Sequence, residues 1–363
     1  MDGVERDRVA DELGRFDPEA PVEEAWTPPA SWYLEPAFLE RERRTVFRRN
    51  WLVACRRETV ARPGAFASGE LLGESWLVVR GADGVLRAFH NVCRHHATRL
   101  VAGEGELETI VCPYHAWTYE LDGRLASAPH LGGVRGFDRA RFGLVPIELA
   151  EWGPYVFLHL GPEPGSLDAE LAGLGRQLEE RDSFGLAFAA RRRYEVGCNW
   201  KVFVDNYLDG GYHVPHLHRG LAAHLDLSRY RTEVFERYSV QSCPGGASAD
   251  ERIGQEALYA WVHPNLMINR YGPVMDVNLV RPLATDRTEV VFDFFLEEPV
   301  DPAFLERCLA QSDTVQDEDA RVCEEVQAGL HSSSFDRGRY APRLEHGAHH
   351  FHRLLAAELG DEP

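Results

Sequence analysis

The stretch "CRHHATRLVAGEGELETIVCPYH", residues 93–115, places two cysteines and three histidines within 23 residues. Cys93-x-His95 is followed by sixteen residues and then by Cys112-x-x-His115. Two thiols and two imidazoles suit zinc or an iron–sulfur cluster. Finger-type zinc sites usually open with two cysteines separated by roughly two to four residues, whereas this stretch opens with Cys-x-His. His96 stands outside the paired pattern and is not expected to be a ligand.

Each half of the stretch offers one Cys and one His from its own loop. That arrangement can give one iron two thiolates and the other two imidazoles, the Rieske [2Fe–2S] pattern. Imidazole is neutral where thiolate is charged, so the reduced cluster is less disfavoured and its potential rises. The flanking runs "SWLVVRG", "VLRAFHNV", "ETIVCPYHAWTYEL" and "GPYVFLHLG" are short, rich in Val, Ile and aromatics, and separated by Gly, Asp and Pro. They predict a small antiparallel β domain around the ligands.

Outside this region the chain gives a second block. "SWYLEPAFLERERRTVFRRNW" (31–51) has helical periodicity, with Phe38, Leu39, Val46 and Phe47 on one face. Residues 1–30 are acidic and Pro-rich and read as a loosely held arm, and 163–185 as polar and helix-prone. From "WKVFVDNYLDGGYH" (200–213) onward, "LYAWVH", "LMINRYG", "MDVNLVRP" and "TEVVFDFFLEE" are spaced as strands of a second antiparallel sheet. "PAFLERCLAQSDTVQDEDARVCEEVQAGL" (302–330) predicts a long helix and "HHFHRLLAAEL" (349–359) a last one. The expected class is α+β: an arm at 1–30, a cluster domain with its leading helix at 31–165, and a catalytic domain at 166–363. The catalytic domain is expected to be helix-grip-like, an antiparallel sheet flanked by helices.

Composition narrows the function. The net charge of −19 over 363 residues argues against nucleic acid and anionic membrane surfaces. No run of about 18 apolar residues is present to span a membrane. Seven cysteines, an odd number, without a dense framework fit a reducing cytoplasm. Lys201 is the only lysine among 39 basic residues; it is either a functional group or a plain helix residue.

An electron-carrying cluster needs a consumer. "NWKVFVDNYLDGGYHVPHLH" (199–218) supplies His213 and His218. On an unbroken helix this spacing turns the side chains apart by about 140°. Pro215 breaks the helix and lets them converge. Two histidines and one carboxylate on one face of an iron leave positions open for oxygen. Asp313, Asp317, Glu318 and Asp319, on the long helix, are the candidates for the carboxylate.

These residues resemble the Rieske non-haem iron oxygenases of the α-subunit type. "FHNVCRHHA", "NWKVFVDNYLDGGYHVPHLH", "GQEALYAWVHPNLMINRYGP" and "CEEVQAGL…GRYAP" resemble its choline monooxygenase branch over about residues 28 to 355. The resemblance implies that Cys93, His95, Cys112 and His115 hold one Rieske [2Fe–2S] cluster. It implies that His213, His218 and Asp319 hold one mononuclear Fe(II), with Asn206 near it. It implies a homotrimer in which electrons cross between subunits through an acid that bridges a cluster His to an iron-ligand His. Many ring-hydroxylating members carry that acid three residues before the first ligand His, where this chain has Gly210. Asp209 is the first substitute, since i and i+4 share a helix face, and Asp205 the second. Plant members of the branch carry a transit peptide, and the acidic start of this chain suggests a bacterial-type cytoplasmic protein instead.

The implied reaction uses O2 and electrons from a ferredoxin or flavin reductase. Choline would give betaine aldehyde, on the way to glycine betaine, and oxidation of an N-methyl group would release formaldehyde. Aromatic ring hydroxylation or O-demethylation is the alternative. A quaternary ammonium cannot donate a hydrogen bond, so its pocket must use ring faces, each worth roughly 0.5–2 kcal/mol. Tyr259, Trp261, Tyr271, Phe292 and Phe294, with Asp276 nearby, are the candidate walls. Acidic electron donors need a basic dock; residues 41–50 and 191–193, with Arg94 and Arg99, are candidates.

Overall fold

The short β-branched and aromatic runs become antiparallel strands in the computed structural model, which describes residues 3–162, 164–248 and 252–361. The chain divides into two units, Arg48–Ala169 and Met1–Phe47 with Glu170–Pro363.

The first unit is mainly β. Its larger sheet runs Leu52–Arg56, Tyr155–His159, Pro146–Trp152, Leu86–His90, Glu74–Arg80, Ala65–Leu71, Glu104–Glu106. A three-stranded sheet is formed by Ile110–Val111, Thr118–Tyr119 and Leu125–Ser127. Leu77, Val79, Phe89, Ile110, Trp117 and Tyr119 pack a core that also buries Cys93 and Cys112. Cys93 follows the strand Leu86–His90 and Cys112 follows Ile110–Val111. Both ligand loops are thus strand-end loops on a rigid scaffold.

The second unit is built on a seven-stranded antiparallel sheet in the order Ala187–Val196, Arg287–Leu296, Val274–Ala284, Leu266–Tyr271, Glu256–Val262, Tyr238–Pro244, Arg231–Val234. The helix Trp200–Tyr207 packs against the helix Pro302–Leu330 and the strand Val274–Ala284. This short helix is pinned at its start. Asn199 caps it, its side chain accepting from Lys201 N. Lys201 Nζ lies 2.5 Å from Glu42 Oε1, with both side chains fully buried. Trp200 Nε1 donates to the other oxygen of Glu42 at 2.7 Å. The lone lysine is a buried tether, not a group in the site.

Four expectations change. The helical stretch 31–51 breaks before Pro36, giving Ser31–Leu34 and Pro36–Thr45. The helix Pro36–Thr45 groups with the second unit rather than the cluster unit, because Glu42 pairs with Lys201 and Arg41 Nε donates to Leu359 O. The arm is not loose: it carries the helix Gly3–Leu13, and Thr27 N and Ala30 N donate to Gly338 O and Asp336 O. The strand Ala187–Val196 was missed because its Arg triplet interrupts the apolar alternation. Those arginines are occupied: Arg191 pairs with Asp293, Arg193 with Glu289, and Arg192 lies 3.6 Å from Asp313. They are therefore poor candidates for a donor dock. Among the described residues, no helix is long and apolar enough to cross a membrane.

Candidate metal centres and substrate cavity

The two ligand loops are one turn used twice. Cys93 N donates to Thr98 O, and Ala97 N returns to Cys93 O. Cys112 N donates to Trp117 O, and Ala116 N returns to Cys112 O. Ala97 and Ala116 both take positive φ, 59° and 54°, which is costly for a residue with a Cβ and marks a constrained site. The turns bring His95 and His115 together, ring centroids 4.8 Å apart, with His95 stacked on Trp117 at 4.7 Å.

The loops bury the two thiols and leave His115 exposed. His95 Nδ1 is buried without a hydrogen-bond partner. Burial, with His96 and His115 adding to it, holds His95 below the usual histidine pKa. Tyr119 OH lies 3.4 Å from Cys93 Sγ and accepts from Arg94 N. This donor set fits a two-iron cluster, and hydrogen bonds to sulfur tune its potential. Arg94 is exposed beside the loops, while Arg99 lies 3.8 Å from Glu70. Of the 41–50 dock candidates, Arg41 is buried and Arg48 pairs with Glu74.

The second centre forms where the helix Trp200–Tyr207 ends. Pro215 lies in a short separate helix, Val214–Leu217, between the two histidines. Ligand atoms of His213, His218 and Asp319 all lie within 4.8 Å of one another. Asp209 Oδ2 sits 2.6 Å from His213 Nδ1, and Glu318 Oε2 2.7 Å from His218 Nδ1. With carboxylates accepting at both Nδ1 atoms, both Nε2 lone pairs face Asp319; His218 Nε2 is 3.0 Å and His213 Nε2 3.9 Å from its Oδ1. Asn206 Nδ2 donates to the same oxygen at 2.8 Å. The burial of His218 favours its neutral form, but the carboxylates of Asp319 and Glu318 outweigh it and raise its pKa. Two imidazole nitrogens and one carboxylate fit a divalent iron.

Burial sorts the four acids of the long helix. Asp319 is buried, Asp317 is exposed, and Asp313 accepts from Tyr194 OH. Glu318 orients a ligand, a role the sequence did not suggest.

Gly210 explains the missing acid. Its φ is +71°, and a Cβ there would overlap the Leu344 carbonyl. No side chain fits, so an acid cannot stand at that position. Asp209 stands beside it, accepting from Gly211 N, Tyr212 N and His213 N as well as holding His213 Nδ1. Asp205 points elsewhere: it accepts from Tyr33 OH at 2.7 Å and faces His352 Nε2 at 2.8 Å. It does not touch the iron ligands, which demotes it as the bridging acid.

A cavity of about 120 Å³ opens beside His213, His218 and Asp319. Phe203, Tyr207, Tyr230, Tyr259 and Phe292 wall it, and among the described residues no Lys or Arg lines it. The amide side chains of its wall are already bonded. Tyr207 OH donates to Asn269, Asn269 and Asn278 donate to Asp276, and Gln241 donates to Tyr207 O. What remains for an occupant is mainly ring faces.

Of the expected wall residues, Tyr259 and Phe292 line this cavity, and Tyr271 and Asp276 line a smaller one adjoining it. Trp261 and Phe294 line neither. Trp261 shares the face of Tyr259 but lies one pair further along the strand, packed on Phe351 with Nε1 on Pro264 O. Phe294 is fully buried against Phe292. Phe203, Tyr207 and Tyr230 were missed because they come from the helix Trp200–Tyr207 and from the turn just before the strand Arg231–Val234, not from the strands.

Comparison with known proteins agrees with this geometry. The Rieske [2Fe-2S] domain matches residues 50–138, and the ring hydroxylating alpha subunit (catalytic domain) matches 185–361. The chloroplastic choline monooxygenase of Arabidopsis thaliana is 44% identical over 95% of this chain and 85% of its own. The carnitine monooxygenase oxygenase subunit of Escherichia coli (strain K12) is 34% identical over 93% and 95%. A solved quaternary ammonium Rieske monooxygenase, described for carnitine oxidation and inter-subunit electron transfer, superposes with a TM-score of 0.84 at 28% identity, covering 96% of this chain and 98% of its own.

Proposed function

Since the chain belongs to the Rieske non-haem iron oxygenase α-subunit family, we propose that it is a monooxygenase of quaternary ammonium compounds, with choline as the first candidate. It is an oxygenase-type oxidoreductase with a Rieske [2Fe–2S] cluster and a mononuclear iron. The observation that carries the substrate reading is the cavity at His213, His218 and Asp319. Five rings wall it, no Lys or Arg among the described residues lines it, and its amides are already bonded. A trimethylammonium group needs no hydrogen bond and gains from each ring face.

Cys93, His95, Cys112 and His115 would hold the cluster, and His213, His218 and Asp319 the iron. Bound, the cluster supplies electrons and the iron supplies open positions for oxygen. Asp209 and Glu318 keep protons on both Nδ1 atoms, and Asn206 fixes the Asp319 carboxylate. The ring walls hold the cation with a C–H bond next to the iron site and keep bulk water away. Hydroxylation of choline at its alcohol carbon gives the hydrate of betaine aldehyde; at an N-methyl group it gives a hemiaminal that releases formaldehyde.

Asp209 is our candidate for the acid that links the cluster of a neighbouring subunit to His213, in a homotrimer fed by a ferredoxin or flavin reductase. The carboxylate bonded to His213 Nδ1 supports that role. The odd number of cysteines, seven, favours a cytoplasmic setting. The test is oxygen uptake by the reduced holoenzyme with choline and with its neutral isostere carrying a tert-butyl group. Choline should be preferred by at least about tenfold, the value of one or two ring contacts. Equal rates would contradict the cation reading.

A further inference from the structure

Behind Tyr259, Asn269 and Phe292 the cavity continues into a smaller compartment of about 70 Å³. Arg252 lines its far end and also a third cavity that reaches His218 and Glu318. The guanidinium lies 4.9 Å over the Tyr271 ring and donates from Nη2 to Tyr271 OH at 2.8 Å. Tyr271 OH in turn donates to Asp276 Oδ2. Arg252 Nε is enclosed and has no acceptor among the described residues. Burial works against the charge of Arg252, but Tyr271 and Asp276 outweigh it and hold it protonated.

We propose that Arg252, which lines both of these cavities, anchors the oxygen-bearing end of the substrate through its guanidinium, and that a carboxylate binds there more tightly than a hydroxyl. This rests on the quaternary ammonium reading of the main cavity. Three facts set the chemistry. Arginine offers donors only, so its partner must be an acceptor. Asp276, the nearby acid, already accepts from Tyr271, Asn269 and Asn278, which leaves it little capacity for a cation. A carboxylate makes the stronger, charge-assisted bond to a guanidinium. The site would then read a molecule with two unlike ends: a methylated cation among the rings, and an oxygen acceptor at Arg252.

Calorimetry on the anaerobic holoenzyme tests this with tetramethylammonium, choline and glycine betaine. Glycine betaine should bind tightest and tetramethylammonium weakest. Arg252→Gln should weaken glycine betaine by about tenfold or more and leave tetramethylammonium within about twofold, since ring contacts are untouched. Arg252→Lys keeps the charge without the planar guanidinium and should lose less. Cluster absorption and the unfolding midpoint of each variant report the fold. The assignment is overturned if tetramethylammonium binds as tightly as glycine betaine. It is also overturned if either variant weakens all three ligands equally. Binding of none of the three overturns the quaternary ammonium reading itself, and this assignment with it.

Discussion

Asp209 carries more than one duty. It caps the turn after the helix Trp200–Tyr207 through three backbone N–H groups and also holds His213 Nδ1. Truncation to Ala would therefore confuse a collapsed loop with a lost electron path. Asp209→Asn keeps an acceptor and removes the charge. It should retain stoichiometric iron and the cluster absorption while turnover falls by at least about tenfold, the usual effect of losing a partner behind a metal ligand. Iron loss in proportion to activity would reduce Asp209 to a positioning residue. At this scale the sequence was most informative where geometry is local. The Cys-x-His and Cys-x-x-His pairs and Pro215 each act within one turn of chain. The role of Glu318 was not legible because it acts on a residue 100 positions away. Adjacent acids on a helix point about 100° apart, so burial, invisible in the sequence, separates ligand from orienter.

The helix Trp200–Tyr207 delivers Asn206 and leads into Asp209, so its placement sets the iron site. Its anchor is the buried pair Lys201–Glu42. Lys201→Met would leave Glu42 with an uncompensated buried charge, and breaking such a pair costs about 3–5 kcal/mol. Urea unfolding followed by tryptophan fluorescence should read a loss of that size, and Glu42→Gln combined with Lys201→Met should recover part of it. A loss below about 1 kcal/mol would show that the helix is held by packing alone. The long helix 302–330 was legible to the residue, since Asp301 caps it and its periodicity is unbroken. The strand Ala187–Val196 was not, because ion pairs across the sheet satisfy its arginines and no apolar alternation marks it. For the cavity walls, alternation correctly gave a face but not which stretch of that face another helix covers. Trp261 fell under such cover, and Phe294 is buried beside Phe292.

For the whole molecule, two metal sites on separate units require electrons to pass between them. If the path runs between subunits, a site broken in one copy can be served by another. A variant lacking the cluster, Cys112→Ala, and one lacking the iron, Asp319→Ala, should each be inactive. Unfolded together and reassembled into mixed oligomers, they should regain a measurable part of turnover. No recovery in verified mixed oligomers would confine the transfer to one chain.

The most direct measurement is oxygen-dependent turnover of choline by the reconstituted enzyme with a ferredoxin and its reductase, with betaine aldehyde and formaldehyde assayed in the same tube. The account predicts that one of these aldehydes forms in proportion to the oxygen consumed. Betaine aldehyde would assign the alcohol carbon as the site of attack, and formaldehyde an N-methyl group. Formation of neither, from choline or from glycine betaine, while the cluster reduces normally, would contradict the claim that this chain oxidises quaternary ammonium compounds.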